Sequence, residues 1–329
     1  MQAVFIGDYM KIVTIGELLV DLTQTGEQSG IPQYAANPGG APANVAVAAS
    51  LMGCETAFIG KVGNDSFGQM LVDTLRSKNV DVSGVVKSDE YKTTLAVVSL
   101  DDKGERSFSF YRKNCADLNL RKEEIDFALV KSADIFHFGS VSLTDEPSFS
   151  AVEAAVRFAK ENGAVISYDP NYRPLLWNNK NEAVAKMRRL LKYVDIIKVS
   201  EEELEIITAQ SDPHRATDLL LNMGITVVLV TLGEKGAFFK TARVSGWCEA
   251  IHAEVADTNG AGDTYMGAFL TKLDSLEKFV INADNCLEDA NMFACISAGI
   301  SVTKSGAIPS MPTKDEVENY IKNHTYSIT

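Results

Sequence analysis

Histidine is scarce in this chain, four in 329 residues, and His137, His214, His252 and His324 stand far apart at no ligand spacing. A histidine-built zinc centre is therefore not expected, and each reads as an ordinary core or surface residue. The five cysteines, Cys54, Cys115, Cys248, Cys286 and Cys295, are odd in number and form no C-x-x-C pair. Neither a disulfide framework nor a cysteine metal site follows, and reduced thiols in a cytoplasm fit best. Positive charge is short as well: 31 lysines and arginines against 44 acidic residues leave a net charge of −13. That balance opposes the basic surface that nucleic-acid binding normally requires, so any anionic ligand must be held by local features. No apolar run approaches the roughly 20 residues that span a bilayer, and no membrane partner is expected. The opening MQAVFIGDY has neither the basic start nor the small-residue cleavage site of a signal peptide. Met10 with KIVTIG reads as a strand start, so residues 1–9 are expected to be an N-terminal extension of a single unit, 10–329.

What is present is a 46% apolar chain long enough to bury a large core. Short β-branched runs near 11–15, 56–60, 133–138, 164–168, 194–199 and 226–231 alternate with helical patterns near 42–53, 146–162, 182–192 and 213–223. That alternation predicts an α/β fold with a parallel sheet covered on both faces, whose ligands bind outside the carboxyl ends of the strands. The run TVVLVT at 226–231 is apolar on both faces, as a central strand must be. One stretch breaks the pattern: Thr93 to Leu100, then Asp101-Asp102-Lys103-Gly104, then Glu105 to Arg112, is a β-hairpin. Leu18 to about Ala36 is a second β-rich excursion, and the two are expected to pair as a small sheet lying as a lid over the main layer.

The richest segment is Asp257-Thr258-Asn259-Gly260-Ala261-Gly262-Asp263, followed by the apolar helical start Thr264 to Phe269. Glycines let backbone N–H groups converge on an anion, and the helix N-terminus adds a partial positive charge. An aspartate there is expected to stay ionised and to accept a proton from an alcohol attacking phosphorus. A bare G-x-G-D reads equally well as a glycine turn with Asp263 capping a helix, and the motif alone does not decide. An oxidoreductase reading fails because the first strand ends in GELLVD rather than in G-x-G-x-x-G.

Asp257 to Leu270 resembles the second signature of the ribokinase-like carbohydrate kinases. Gly39-Gly40-Ala41-Pro42-Ala43-Asn44-Val45-Ala46 resembles the first, more than 200 residues upstream in the correct order. The similarity extends over Gly60 to Gly68, Asp169-Pro170-Asn171-Tyr172-Arg173 and Thr231-Leu232-Gly233-Glu234-Lys235-Gly236. It implies a three-layer αβα sandwich with a β lid, ATP and Mg²⁺ as co-substrate and cofactor, and a homodimer through the lid. It further implies Asp263 as catalytic base, with Gly260, Ala261 and Gly262 forming the anion hole, each donor worth roughly 3 to 4 kcal/mol. Asp21, Gly39, Gly40 and Asn44 match sugar-binding positions. On the residues alone, Asp21 reads as a solvated turn carboxylate and Asn44 as a helix-start hydrogen bond. Lys198, Ser200, Thr231, Gly233, Gly236 and Asn291 fall to the nucleotide by the same resemblance. Glu203 of Ser200-Glu201-Glu202-Glu203 falls to Mg²⁺ and its waters, although an acidic first turn explains the three glutamates equally well. Ser301 to Ser310, with Ser301, Lys304, Gly306 and Ser310, resembles a loop that holds a monovalent cation, K⁺, together with Asp257 and Asn259.

The stretches Phe108-Ser109-Phe110-Tyr111-Arg112, Ala116-Asp117, His137 to Leu143 and Lys198-Val199-Ser200 resemble bacterial and plant fructokinases. The implied reaction is fructose to fructose 6-phosphate, with Phe110 and Arg112 over the sugar. The alternative is 2-keto-3-deoxygluconate, whose carboxylate Arg112 and Arg173 would hold. A non-catalytic sugar- or nucleotide-binding protein on the same fold is the reading from another class.

Overall fold

The structure, a computed structural model, describes residues 10–100, 106–273 and 283–324. The expected hairpin tip at Asp101–Gly104 lies outside the described residues. In chain order the strands are β1 Lys11–Ile15, β2 Leu19–Gln28, β3 Ile31–Gly39, β4 Glu55–Gly63, β5 Asp81–Ser88, β6 Leu95–Leu100 and β7 Arg106–Tyr111. Then follow β8 Ile135–Gly139, β9 Val165–Asp169, β10 Ile196–Ser200, β11 Val227–Thr231, β12 Ala237–Lys240 and β13 Ser245–Cys248. Nine of them form one sheet in the order β13-β12-β11-β10-β9-β8-β1-β4-β5. It is parallel from β11 to β5, with β12 and β13 added antiparallel at one edge.

The six strands expected from sequence are present within about three residues, because each is predominantly apolar and buried on both faces. Successive side chains serve opposite layers. Ile12, Ile135, Ile196 and Val227 pack with residues of the helices Ala261–Leu270 and Ala283–Ser301. Their neighbours Val13, Phe136, Ile197 and Val228 pack with residues of Ser148–Glu161 and Pro213–Asn222. The strand β5 at one edge, and β12 and β13 at the other, fall outside the expected set; β5 and β13 are largely polar or half-exposed, and β12 has only four residues. Helix Ala261–Leu270 is buried at every residue from Asp263 to Leu270. An apolar surface all round suits a helix wedged between two others, and it packs against Ala41–Leu51 and Ala283–Ser301.

The remaining four strands form a second sheet in the order β3-β2-β6-β7. The two excursions thus pair as expected, β2 running parallel to β6 with Val20 opposite Leu95 and Leu22 opposite Val97. Its exposed ends account for much of the apolar surface left to solvent, including Ile31, Tyr34 and Tyr111.

Candidate active site

The carboxyl ends of β1, β8, β9 and β10 open into a cleft of about 600 Å³ whose far wall is the start of helix Ala261–Leu270. That helix begins at Gly260, in the left-handed region at φ 75°, and no side chain caps it. A Cβ at Gly260 would stand 2.8 Å from the Ala307 Cβ, so glycine is required both by the dihedral and by the space. First-turn amides have no intrahelical partner. Ala261 N–H makes a long bond back to the Thr258 carbonyl, 3.3 Å, and the turn faces the cleft, which Gly260, Gly262 and Asp263 line.

Asp263 is buried, and each of its oxygens is held by an amide: Asn44 Nδ2 donates to Oδ2 at 2.8 Å, Asn171 Nδ2 to Oδ1 at 3.0 Å. Asn44 comes from the first turn of Ala41–Leu51 and Asn171 from the turn after β9, so three distant segments converge on one carboxylate. Its pKa is raised from 3.8 to about 6, first by burial and then by the Asp169 carboxylate, while Lys198, Asn44 and Arg173 pull it down. Desolvation outweighs the helix N-terminus in setting its proton affinity, and a pKa of about 6 leaves the carboxylate ionised at pH 7.

Asp169 and Asn171 carried no role in the sequence reading. Asp169 Oδ2 accepts from Lys198 Nζ at 2.8 Å, and Oδ1 accepts from Asn171 N–H at 3.1 Å. One buried carboxylate therefore positions both a cation and the amide that touches Asp263. Burial opposes the charge of Lys198, but Asp169 and Glu203 outweigh it and raise its pKa, so the ammonium is kept. It lies directly under the open helix turn: a Cβ on Gly262 would stand 2.6 Å from Nζ. The only sequence signal for this pair was the D-P-N segment at a strand end. His137, by contrast, is neutral; burial and then Lys198 lower its pKa to about 3, and Nδ1 pairs with Ser167 Oγ at 2.8 Å.

The cleft is also lined by Asp21, Gly40, Asn44, Phe110 and Arg173, together with Glu17, which sequence reasoning passed over. Asp21 has its pKa raised to about 6 by burial, with an Asn259 hydrogen bond and Arg173 opposing. Gly39 packs against it, a Cβ there meeting the Asp21 carboxylate at 2.4 Å. Asn44 Oδ1 is buried without a hydrogen-bond partner, an acceptor turned to no protein group. Arg112 does not reach the cleft. It is buried, with Nε on Asp117 at 2.7 Å, Nη1 on Thr144 Oγ1 at 2.7 Å and Nη2 on the Val141 carbonyl at 3.0 Å.

Of the residues matched to the nucleotide, Lys198 and Ser200 line the cleft. Thr231, Gly233 and Gly236 lie one strand further along the sheet, at the end of β11 and in the turn after it. Asn291 is directed elsewhere: its amide is buried between the Ala237 carbonyl, 3.2 Å, and the Tyr265 hydroxyl, 2.6 Å. Ser200 and Glu203 form a reciprocal cap, Ser200 Oγ accepting from Glu203 N–H and Glu203 Oε2 from Ser200 N–H. Glu203 Oε1 accepts from Tyr172 N–H at 2.6 Å. Asp257 accepts from Asn259 N–H at 3.0 Å and Gly306 N–H at 3.1 Å, joining the two loops matched to a monovalent cation. The hydroxyls of Ser301 and Ser310 turn to their own chain at Ala298 and Ala307, and Lys304 is exposed beside Glu316. Among the described residues no cluster of three His, Cys, Asp or Glu side chains could hold a metal by itself.

A buried carboxylate, an ammonium and an open helix N-terminus at the carboxyl ends of parallel strands define the class, a phosphotransferase acting on a hydroxyl. Residues 10–314 match the pfkB family carbohydrate kinases, and the chain belongs to that family. Its hydroxyl acceptor is therefore a sugar, and its co-substrate ATP with a divalent metal. The chain is similar to probable fructokinase-3 of Arabidopsis thaliana, 41% identical over 323 residues, 96% of this chain and 93% of that protein. Fructokinase-2 of Solanum lycopersicum is 40% identical over 318 residues, covering 94% and 96%. Among solved structures, the ATP-bound fructokinase of Xylella fastidiosa superposes with a TM-score of 0.87 at 32% identity, covering 95% of this chain and 98% of that one. The fructokinase of Vibrio cholerae O395, in a form with fructose, ADP and calcium ion bound, gives 0.85 at 32%, covering 95% and 99%.

Proposed function

We propose that this protein is a fructokinase transferring the γ-phosphoryl group of ATP to the terminal hydroxyl of D-fructose, giving fructose 6-phosphate. The observation that carries the reading is Asp263, gripped by Asn44 and Asn171 at an open helix turn beside Lys198. Asp263 takes the proton of the attacking hydroxyl. The amides of Gly260, Ala261 and Gly262 and the Lys198 ammonium meet the charge developing on the transferred group. Asp21, Gly39, Gly40 and the unpartnered Asn44 Oδ1 hold sugar hydroxyls, and Phe110 closes an apolar wall with Leu19 and Val98. The nucleotide extends past Ser200 toward Thr231, Gly233 and Gly236. The oxygen donors present suit Mg²⁺ held mainly by phosphates and water, with Glu203 orienting that water. A K⁺ ion would sit behind the anion hole, between the Asp257 and Ser301–Ser310 loops that the Asp257 carboxylate already ties together.

Fructose is favoured over the keto-acid because the charge of Arg112 is neutralised by Asp117, and the Asp21 carboxylate lines the sugar end. A substrate carboxylate would meet like charge there, with exposed Arg173 at the rim. The four-stranded sheet acts as a lid that excludes water during transfer. Its exposed Ile31, Tyr34 and Tyr111 form the face of a homodimer. Among the described residues no helix is long and apolar enough to cross a membrane, and all five cysteines are free thiols, which supports a cytoplasmic enzyme acting on small molecules. The test is ADP release with ATP and Mg²⁺ against fructose, 2-keto-3-deoxygluconate, ribose and adenosine, with and without potassium. A large fructose preference supports the reading. Preference for the keto-acid reassigns the sugar, and silence on all four favours a non-catalytic binding protein.

A further inference from the structure

The chain passes between the two sheets four times, and one buried polar cluster touches every passage. The first, from β1 to β2, carries Glu17, which is 2% exposed. The second runs from β3 through Gly40 to Ala41, whose N–H donates to Glu17 Oε1 at 2.9 Å. On the third, from β5 to β6, the Thr94 hydroxyl donates to Asp117 Oδ1 and the Thr94 carbonyl accepts from Val20 N–H of β2. The fourth leaves β7 through Arg112 to Asp117, which are ion-paired at 2.7 Å and 5% and 3% exposed. Ala116 N–H on that passage donates to the Lys92 carbonyl on the third, 2.9 Å.

All of this converges on one turn of the main sheet, the residues that follow β8. Arg112 binds Thr144 Oγ1 and the Val141 carbonyl there, and Ser142 Oγ donates to Glu17 Oε2 at 3.4 Å. Neither Arg112 nor Asp117 lines the cleft. Shielded from solvent, such contacts are directional, and removing one partner strands a buried charge.

We propose that Arg112 and Asp117, together with Glu17, form the hinge lock that fixes the small sheet over the cleft. They serve phosphoryl transfer as positioning residues, through the placement of the lid rather than by touching the sugar. The proposal rests on the sugar-kinase reading of the cleft and deepens it, since it removes Arg112 from the sugar contacts.

Three variants test it: Arg112→Met, Asp117→Asn and the double variant, each compared with wild type for sugar KM and kcat, and by amide exchange in the sugar-free protein. A hinge predicts that Asp117→Asn, remote from the sugar, raises the fructose KM about tenfold, as Arg112→Met does. The double variant should be little worse than either alone. Exchange should accelerate about tenfold in β2 and β6 while β10 and β11 keep wild-type protection. A wild-type KM and wild-type exchange in Asp117→Asn, with sugar binding lost in Arg112→Met, would overturn the hinge and make Arg112 a direct ligand. Should Asp117→Asn unfold globally, the milder Thr94→Val gives the same directions at smaller size. Exchange needs no substrate, so a wild-type enzyme silent on fructose refutes the sugar while exchange still decides the hinge.

Discussion

Replacing Asn44 with alanine should move the acid limb of the pH–rate profile, and by an amount the geometry sets. Asn44 Nδ2 donates to Asp263 Oδ2 at 2.8 Å, and that bond stabilises the ionised carboxylate. A hydrogen bond to a charged group contributes about 1.5–3 kcal/mol, and 1.36 kcal/mol is one pKa unit, so its loss raises the pKa by about 1–2 units. The base works only when ionised. Activity in the wild type should therefore fall as pH drops through about 6, and in Asn44→Ala the fall should come between about pH 7 and 8. The assay is kcat/KM for fructose from pH 5 to 9.5 with coupling enzymes in excess. Height and position report different things: a lost sugar contact lowers the plateau at every pH, whereas the lost amide shifts the limb. Asn171→Gly should shift it the same way without backbone strain, since glycine keeps the left-handed conformation that Asn171 adopts at φ 45°. A limb left in place in both variants would refute either Asp263 as the titrating base or the amide grip as its control.

Asp263→Asn keeps the shape of the buried side chain and removes the base, so turnover should fall by several orders of magnitude with circular dichroism unchanged; wild-type turnover would end the assignment. Gly262→Ala forces the Lys198 ammonium aside and should lower kcat on the order of 100-fold, as loss of an anion-hole donor does, while thermal unfolding stays near wild type; an unchanged kcat would remove Lys198 from the reaction. Stability should depend on pH through Glu17, whose pKa burial raises from 4.5 to about 7. Between those values the folded state keeps a proton that the unfolded chain has released, so stability is highest at acid pH and falls as pH rises through about 7. Glu17 accounts for on the order of 2 kcal/mol between pH 5 and 8, and urea midpoints for wild type and Glu17→Gln should converge at pH 5 and separate at pH 8. Parallel curves would contradict the burial of an ionisable Glu17.

The local chemistry of the sequence determined a good deal. Mainly apolar runs with turn signals marked β1, β8, β9, β10 and β11, because a strand buried on both faces is predominantly apolar. The G-A-G-D segment announced an open helix start, because only glycine tolerates the dihedral and the space at Gly260. What remained hidden depends on distance along the chain. Asn44, Asn171 and Asp263 lie up to 219 residues apart, and no periodicity says that two amides close on one carboxylate. The proton affinity of Asp263 follows from burial and from Asp169, which helix-terminus reasoning on the sequence alone does not supply. Arg112 shows the same limit: a cation on a lid strand reads as a ligand until folding supplies Asp117, Thr144 and the Val141 carbonyl as its partners. Composition and spacing decide which elements form, whereas desolvation and charge pairing, which set what each side chain can do, exist only once the elements have packed.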